Sequence, residues 1–222
     1  MPLEISSVKR QLGYAVVGIL IGVVTAYLAY PRDQWQFASI ALANSTVLFL
    51  SATLLIGPLR VLRGQRPVSS SRTRRHLGVW SGIFAVVHVV AGLNVHFNGK
   101  IMLYFFRGTG KIALLNIRSD SFGITNHMGA AASIIVFLLL AISNDAALRR
   151  LGVVRWKGLQ RLTYPLAAMV FLHAGIYQYL EQRPWILIAL LMAVTAATLA
   201  LQLWSLLSFR NLHRLSAKKF PQ

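Results

Sequence analysis

Cysteine is absent from this chain of 222 residues, and only five of its residues are acidic. Without cysteine the chain can form no disulfide, thiolate metal site, iron–sulfur cluster or thioether-linked haem. The acidic residues all fall outside the long apolar runs, at Glu4, Asp33, Asp120, Asp145 and Glu181. Acid–base or nucleophilic catalysis by this chain alone is therefore not expected.

Charged residues of both signs are scarce as well, at 13% of the chain, whereas 56% is hydrophobic and the mean hydropathy is +0.59. A water-soluble domain could not bury so much apolar surface, so we predict an all-α integral membrane protein in contact with membrane lipids. The net charge of +18 would suit a nucleic-acid partner. The basic residues, however, lie in short segments between apolar runs, which indicates membrane topology instead.

Six apolar segments have about 20 residues each, the length that an α-helix needs to cross a bilayer. They are predicted at residues 12–30, 37–57, 76–95, 122–143, 162–180 and 185–209. The first is expected to be a retained helix, because it is too long for a signal peptide and no clear cleavage site follows it. The chain is thus predicted to be one six-transmembrane-helix bundle over residues 1–222.

Lysine and arginine are distributed unequally between the two sides of this bundle. Of the 23 basic residues, 17 lie near the termini and in the loops at 59–75 and 144–161. The positive-inside rule therefore predicts that both termini and both arginine-rich loops are cytoplasmic. The same arginines could also bind anionic lipid headgroups, which agrees with this topology.

Two histidines lie deeper in apolar segments than any other ionisable side chain. His88 is 12 residues beyond His76 and His173 is 12 residues beyond Arg161, in segments predicted to run in the same direction. Both imidazoles are then about 18 Å from the cytoplasmic edge. An ionisable group at this depth usually has a functional reason. Small residues nearby would leave room for a macrocycle: Gly82, Ala85, Ala91, Gly92, Ala167, Ala168, Ala174 and Gly175.

The two histidines have two interpretations. At equal depth on two helices they could be the axial ligands of a haem iron, which would then carry electrons because no coordination position stays open. Alternatively, each could hydrogen-bond a neighbouring helix and only stabilise the bundle. His96 and His127 both lie near the outer edge, where they could form a metal or acceptor site, bond haem propionates or be solvated. His76 lies in a basic cluster at the cytoplasmic edge, where it could be solvated, contact a propionate or be a ligand.

Ordered motifs around these histidines resemble a known family. LLIGPLR at 54–60 and RTRRHLGVW at 72–80 precede His88, and LRRLG at 148–152 and RWKGLQRLTY at 155–164 precede His173. The chain resembles the ferric reductase-like transmembrane domain family, and within it the haem-binding membrane subunits of bacterial periplasmic methionine sulfoxide reductase systems. The resemblance implies a bacterial inner-membrane bundle that binds b-type haem, with His88 and His173 as the outer ligand pair.

The resemblance also exposes a departure from the family's pattern. Family members often carry a second histidine 13 residues before the ligand in segment five, where this chain has Gln160, and the matching positions in segment three are Arg74 and Arg75. One haem b is therefore expected. A second haem would need His76 as a ligand, and His76 does not lie at the position where the family has one. Arg74, Arg75 and Gln160 could instead bind propionates, the phosphate of a flavin such as FMN, or a quinone.

The leading functional hypothesis is an electron-transfer subunit of an oxidoreductase rather than a complete enzyme. The chain leaves no room for the soluble FAD- and NADPH-binding domain of ferric reductases, so a quinol or a separate flavoprotein would be the donor. The acceptor on the outer side would be a partner reductase, another redox protein or ferric iron. A haem-free structural or assembly subunit is the alternative. A transporter with a histidine proton relay is disfavoured by the lack of intramembrane carboxylates.

Overall fold

Helices account for most of the residues that the structure describes. The computed structural model describes residues 5–63, 72–107 and 116–219. The helices are α1 (Ile5–Tyr27), α2 (Gln34–Leu62), α3 (Arg72–Val95), α4 (Met102–Phe105), α5 (Ser121–Ile142), α6 (Asp145–Gln160), α7 (Thr163–Leu180) and α8 (Trp185–Lys219). In these ranges the pairing of extended chain is limited to an isolated antiparallel bridge between Phe106 and Ile117. The all-α prediction is confirmed for this part of the chain.

Five helical segments among the described residues are long and apolar enough to cross a membrane. They are Lys9–Tyr27, Gln34–Leu62, Arg72–Val95, Ser121–Ile142 and Trp185–Ser208. Helix α7 is 18 residues long but less apolar, because it contains His173, Gln178 and three tyrosines. A helical bundle suited to a membrane is therefore confirmed. The sixth span through α7 and the cytoplasmic position of the termini stay predictions.

Helix α2 continues past the proline at which its apolar segment was predicted to end. Pro58 lies inside the helix, which runs on to Leu62. Proline has no N–H, so the carbonyl oxygen of Leu54, four residues earlier, has no partner within the helix. The side-chain amide of Gln202 in α8 donates to that oxygen at 2.6 Å. A partner from a neighbouring helix thus compensates for the proline, as is required where no water is present.

Helix α6 occupies the segment 144–161 that was predicted to be a loop. The side chain of Asn144 caps it by accepting a hydrogen bond from the Ala147 N–H, and the helix is interrupted at Gly152, which has φ 73°. None of its residues is buried. Because α6 is amphipathic rather than apolar, a search for long hydrophobic runs does not detect it.

The remaining helices pack as a bundle around a central space. Helix α2 packs most extensively against α3, and also against α1 and α8, while α5 packs against α7. One core cluster joins α2, α7 and α8 through Val47, Leu50, Leu54, Ala167, Phe171 and Leu191. A second cluster joins α5 to α7 through Ala132, Val136 and Leu166. Helices α2, α3, α5 and α7 consequently form the walls of one cavity.

Replacing Asp120 by alanine is expected to lower the free energy of unfolding by about 1 kcal/mol. The Asp120 carboxylate caps α5 by accepting from the Gly123 N–H at 2.8 Å, and it also pairs with Arg107 and Arg118. The Gly123 N–H, and with it the two guanidinium groups, lowers the pKa of Asp120. Its contribution should therefore be present above the ordinary pKa of aspartate and be lost as the pH falls through the lowered value.

Thermal unfolding in detergent measures this effect, and Asp120→Asn is the matched control. Asparagine accepts the same capping hydrogen bond but carries no charge, so it should recover most of the lost stability at neutral pH. Equal destabilisation by the two substitutions would mean that the ion pairs, not the cap, are what Asp120 contributes.

Candidate functional site

The side chains of His88 and His173 face each other across the cavity. Their ring centroids are 6.4 Å apart and the ring planes are nearly perpendicular, at 82°. Just beyond α3, His96 contacts Glu181, which follows α7, so the two helices end at the same side of the bundle and run in the same direction. The sequence predicted this parallel arrangement and the matching depth of the two rings.

Each of the two imidazoles is held by a backbone carbonyl of a neighbouring helix. The Nδ1 atom of His88 is 2.9 Å from the carbonyl oxygen of Ser39 in α2, with the Ser39 hydroxyl at 3.2 Å. The Nδ1 atom of His173 is 2.9 Å from the carbonyl oxygen of Thr125 in α5. A carbonyl can only accept, so Nδ1 must carry the proton in both rings. The lone pair of each neutral imidazole is then on Nε2.

This tautomer is the one that a metal-binding histidine requires. Metal-bound histidines usually donate the N–H of the second ring nitrogen to a carbonyl or carboxylate, which fixes the orientation of the ring. With metal–nitrogen bonds of about 2 Å and about 1.1 Å from nitrogen to ring centre, two imidazoles on opposite sides of one ion would have centroids about 6 Å apart. The observed 6.4 Å separation fits that arrangement.

The space around the two rings is large and mainly apolar. The cavity has a volume of about 470 Å³, within the range of roughly 300–1,000 Å³ typical of ligand and cofactor sites. Small side chains on all four helices line it: Ser39, Ala43, Ala85, Gly92, Gly129, Ala130, Ala132, Ser133 and Ala174. Of the small residues that the sequence indicated, Ala85, Gly92 and Ala174 line the cavity. Gly82 instead faces Leu140, and Ala167 belongs to the core of the bundle.

Gly129 leaves the space that the His173 ring occupies. A Cβ atom built on Gly129 would lie 2.8 Å from Cε1 and 3.1 Å from Nδ1 of His173. Gly129 is one helical turn beyond Thr125, whose carbonyl oxygen holds the same ring. Helix α5 therefore supplies both the acceptor that orients His173 and the space that admits it.

At the end near the turn after α7, the cavity is bordered by a cluster of charged side chains around Glu181. The carboxylate is only 14% exposed, and it lies 3.2 Å from His96 Nε2 and 3.5 Å from a guanidinium nitrogen of Arg183, which is 13% exposed. Gln36 donates to it at 3.3 Å, and the largely exposed Arg32 approaches to 3.9 Å. Burial lowers the pKa of His96, while the Glu181 carboxylate opposes that shift. The cluster joins α2, α3 and the turn after α7.

A row of rings connects this cluster to the deeper histidine. The Tyr177 ring lies 5.0 Å from the His173 ring and is stacked on His96 at 6.4 Å. The Tyr177 hydroxyl donates to the side-chain oxygen of Asn126 at 2.7 Å. Tyr104 of α4 covers the same region, since its hydroxyl donates to the carbonyl oxygen of Gly92. The segment around α4 thus closes part of this end of the cavity.

The two histidines predicted near the outer edge have different neighbours. His96 lies among Tyr104, Phe122, Tyr177 and Glu181. His127 packs on Phe105 at 5.4 Å, and its buried Nε2 atom has no hydrogen-bond partner among the described residues. The described part of the chain brings together no group of three or more potential metal ligands. A site shared by His96 and His127 stays a prediction.

The residues singled out at the end predicted to be cytoplasmic also have separate environments. His76 stacks on Tyr14 and hydrogen-bonds Gln11, so it faces α1. Arg75 pairs with Asp145 at 2.6 Å and donates to the carbonyl oxygen of Ser143. Gln160 ends α6 and its carbonyl oxygen accepts from Thr163. Arg74 is half-buried at the start of α3. Among the described residues, no hydrogen bond or ion pair joins His76, Arg75 and Gln160 to one another.

Several residues of the site were not predicted from the sequence. The carbonyl groups of Ser39 and Thr125 have no sequence signature, because every residue has one. Glu181 has no such signature either, since its burial depends on residues at the start of α2 and just beyond α3. Gly129 begins the run GAAAS at 129–133, and this run of small residues in segment four was a visible signal of a cavity wall.

Comparison with known proteins relates the chain to haem-binding membrane subunits. No family model matches it. It is 28% identical over 191 residues to the protein-methionine-sulfoxide reductase heme-binding subunit MsrQ of Ralstonia nicotianae, covering 84% of this chain and 77% of that protein. It is 30% identical over 163 residues to the MsrQ subunit of Xanthomonas euvesicatoria, covering 73% and 66%. Magnetosome protein MamZ of Magnetospirillum gryphiswaldense is 28% identical over 153 residues, which are 69% of this chain but only 19% of MamZ.

Proposed function

Because this chain belongs to the MsrQ-like family of haem-binding membrane subunits, we propose that it holds one b-type haem between α3 and α7 and carries electrons to an acceptor on the outer side of the bacterial inner membrane. The observation that carries this proposal is the facing pair His88 and His173, with both Nδ1 atoms held by carbonyl groups. Their Nε2 atoms are the proposed axial ligands.

The chemistry of this donor set favours electron transfer over catalysis. When bound, a haem with two imidazole ligands supplies reversible one-electron oxidation and reduction without an open coordination position. The protein's part is to bind, orient and tune the cofactor. The carbonyl groups of Ser39 and Thr125 orient the two ligands, and the apolar walls of the cavity exclude water from both.

The names of the relatives, and the two opposite ends of the bundle, support a donor on one side of the membrane and an acceptor on the other. The acceptor is proposed to be a methionine sulfoxide reductase subunit on the outer side, with ferric iron as the alternative. The donor is proposed to be a quinol or a separate flavin reductase. We assign a single haem, because Gln160 replaces the second ligand of segment five and His76 faces α1.

A haem-to-protein ratio tests this proposal directly. The purified protein is expected to contain about one haem per chain by pyridine haemochrome assay, with low-spin b-type bands in its reduced-minus-oxidised spectrum. Adding an outer-side reductase of the methionine sulfoxide type with its substrate should reoxidise the reduced protein. A protein free of haem would instead support the structural or assembly subunit.

Single cysteines are expected to show that α7 crosses the membrane. The chain has no native cysteine, so each introduced one is the sole target of a maleimide. Lys157 precedes α7 and Gln182 follows it, and both side chains are exposed. A membrane-impermeant reagent applied to intact spheroplasts should label Gln182→Cys, whereas Lys157→Cys should react only after the membrane is opened.

Two further positions calibrate the labelling. Lys100→Cys should react from outside and Arg63→Cys only from inside, because they lie at opposite ends of the bundle. If Gln182→Cys and Lys157→Cys react from the same side, α7 does not span and the six-helix topology is wrong.

A further inference from the structure

Helix α6 combines exposed basic residues with exposed valines at one end of the bundle. Arg149, Arg150, Arg155 and Lys157 are all exposed. Val153 is 54% exposed and Val154 is 85% exposed. Apolar side chains so exposed beside several cations are typical of a helix at a bilayer surface, where valines can enter the acyl region while arginines meet the headgroups.

The position of α6 relative to the bundle fits such a surface. It connects α5 to α7, and the indole N–H of Trp156 donates to the carbonyl oxygen of Ile142 at 2.8 Å. At its first residue, Asp145 pairs with Arg75 of α3. Both contacts hold α6 beside the ends of spanning helices, which is the depth at which lipid headgroups begin.

The charge of α6 is almost wholly of one sign. Asp145 is its single acidic residue, and Arg75 lowers the pKa of that carboxyl group through a hydrogen bond and its charge. No ion pair within the described residues involves Arg149, Arg150, Arg155 or Lys157. Apart from the effect of the Arg149 charge on Asp145, their charges are therefore available to an anion outside the chain.

We propose that α6 lies in the headgroup layer and binds anionic phospholipids such as phosphatidylglycerol. Gly152 divides the helix with a φ of 73°, a conformation that suits glycine. This break turns Val153 and Val154 outward. An acidic soluble partner would account for the arginines but would leave the two valines without an apolar environment. A lipid surface accounts for both, and the proposal does not depend on the haem.

A spin label at residue 154 shows whether this part of α6 is surrounded by lipid or by water. Val154→Cys in the otherwise cysteine-free full-length protein, reconstituted in phosphatidylglycerol vesicles, is expected to be more accessible to oxygen than to a water-soluble nickel chelate. Ala146→Cys, in the exposed first turn of the helix, is the comparison and should show the opposite preference. Equal preference for the nickel chelate at both positions would overturn the proposal.

Two double variants, each with two arginines replaced, test whether stabilisation by anionic lipid depends on α6. Phosphatidylglycerol, but not phosphatidylcholine, should raise the melting temperature of the detergent-solubilised protein. Arg149→Gln/Arg155→Gln is expected to reduce this rise to about half or less, since each cation near the surface contributes about 1 kcal/mol to lipid binding.

The matched control removes the same charge at the same end of the bundle. Arg60→Gln/Arg63→Gln lies at the end of α2 and is expected to retain clearly more of the rise than the α6 variant does. Melting without lipid shows whether either variant is misfolded. An equal response of the two variants would overturn the proposal and leave α6 as a surface for an acidic protein partner.

Discussion

Replacing His88 or His173 by alanine is expected to remove the low-spin b-type absorption of the purified protein, with a drop in bound haem of about ten-fold or more. Removing even a residue that only supports a metal ligand commonly costs 10- to 100-fold in affinity, and here a ligand itself is lost. The effect should be equally large for the two substitutions, because the rings are held alike by carbonyl groups on opposite walls. Absorption spectra with the pyridine haemochrome assay measure it.

His127→Ala is the control for this experiment, since His127 also lies in a helix but packs on Phe105 away from the pair. It should keep the normal spectrum. Because alanine also removes an interhelical hydrogen bond, His173→Met provides a second measurement. Methionine can still bind iron, and a His/Met pair raises the reduction potential. A normal spectrum in both alanine variants would exclude His88 and His173 as the ligand pair.

Gly129→Ala is expected to reduce haem binding nearly as strongly, although Gly129 has no side chain to contribute. The new methyl group would lie 2.8 Å from Cε1 of His173, which is closer than real Cβ contacts occur. The ring would have to leave its position and with it the hydrogen bond to the Thr125 carbonyl oxygen. We expect a loss of about ten-fold in bound haem, or a change from low-spin to high-spin absorption in what remains.

The other side of the cavity offers a matched control for the glycine substitution. A Cβ atom on Gly92 would be 3.5 Å from the Ser39 hydroxyl and 4.0 Å from Cε1 of His88, both ordinary contacts. Gly92→Ala adds the same methyl group to the same cavity and should leave the spectrum unchanged. If the two variants behave alike, the effect is one of cavity volume and not of His173 geometry.

Two kinds of feature could be predicted from the sequence. One is an ionisable side chain that is costly to place in a membrane helix, and the other is a position that follows from the regular rise of a helix. A histidine in a membrane helix is costly enough to stand out, and counting residues from each basic edge predicts the matching depth of His88 and His173. The structure brings the two ring centroids to within 6.4 Å of each other. The apolar segments likewise predicted the helices, because hydropathy over about 20 residues reports burial in lipid.

The remaining features depend on three-dimensional contacts that composition does not encode. Helix α6 is amphipathic, so it was read as a loop. Pro58 was expected to end α2, but Gln202 of α8 compensates for the missing hydrogen bond. The sequence places Glu181 only in a loop, yet packing makes it the centre of an ion-pair cluster that joins α2, α3 and the turn after α7. Predicting these three features would require knowing which helices and loops pack against each other in the folded chain.

The two carbonyl groups that hold the histidines come from different parts of the bundle. His88 and its acceptor Ser39 belong to the neighbours α2 and α3, whereas His173 and its acceptor Thr125 belong to the neighbours α5 and α7. Each of these two helix pairs therefore carries a complete half-site, in which a carbonyl oxygen accepts the Nδ1 proton of the imidazole. A nascent chain could prepare these halves separately as it enters the bilayer. The cofactor would then join the two halves, so that cofactor binding and assembly of the helical bundle become a single step of biogenesis.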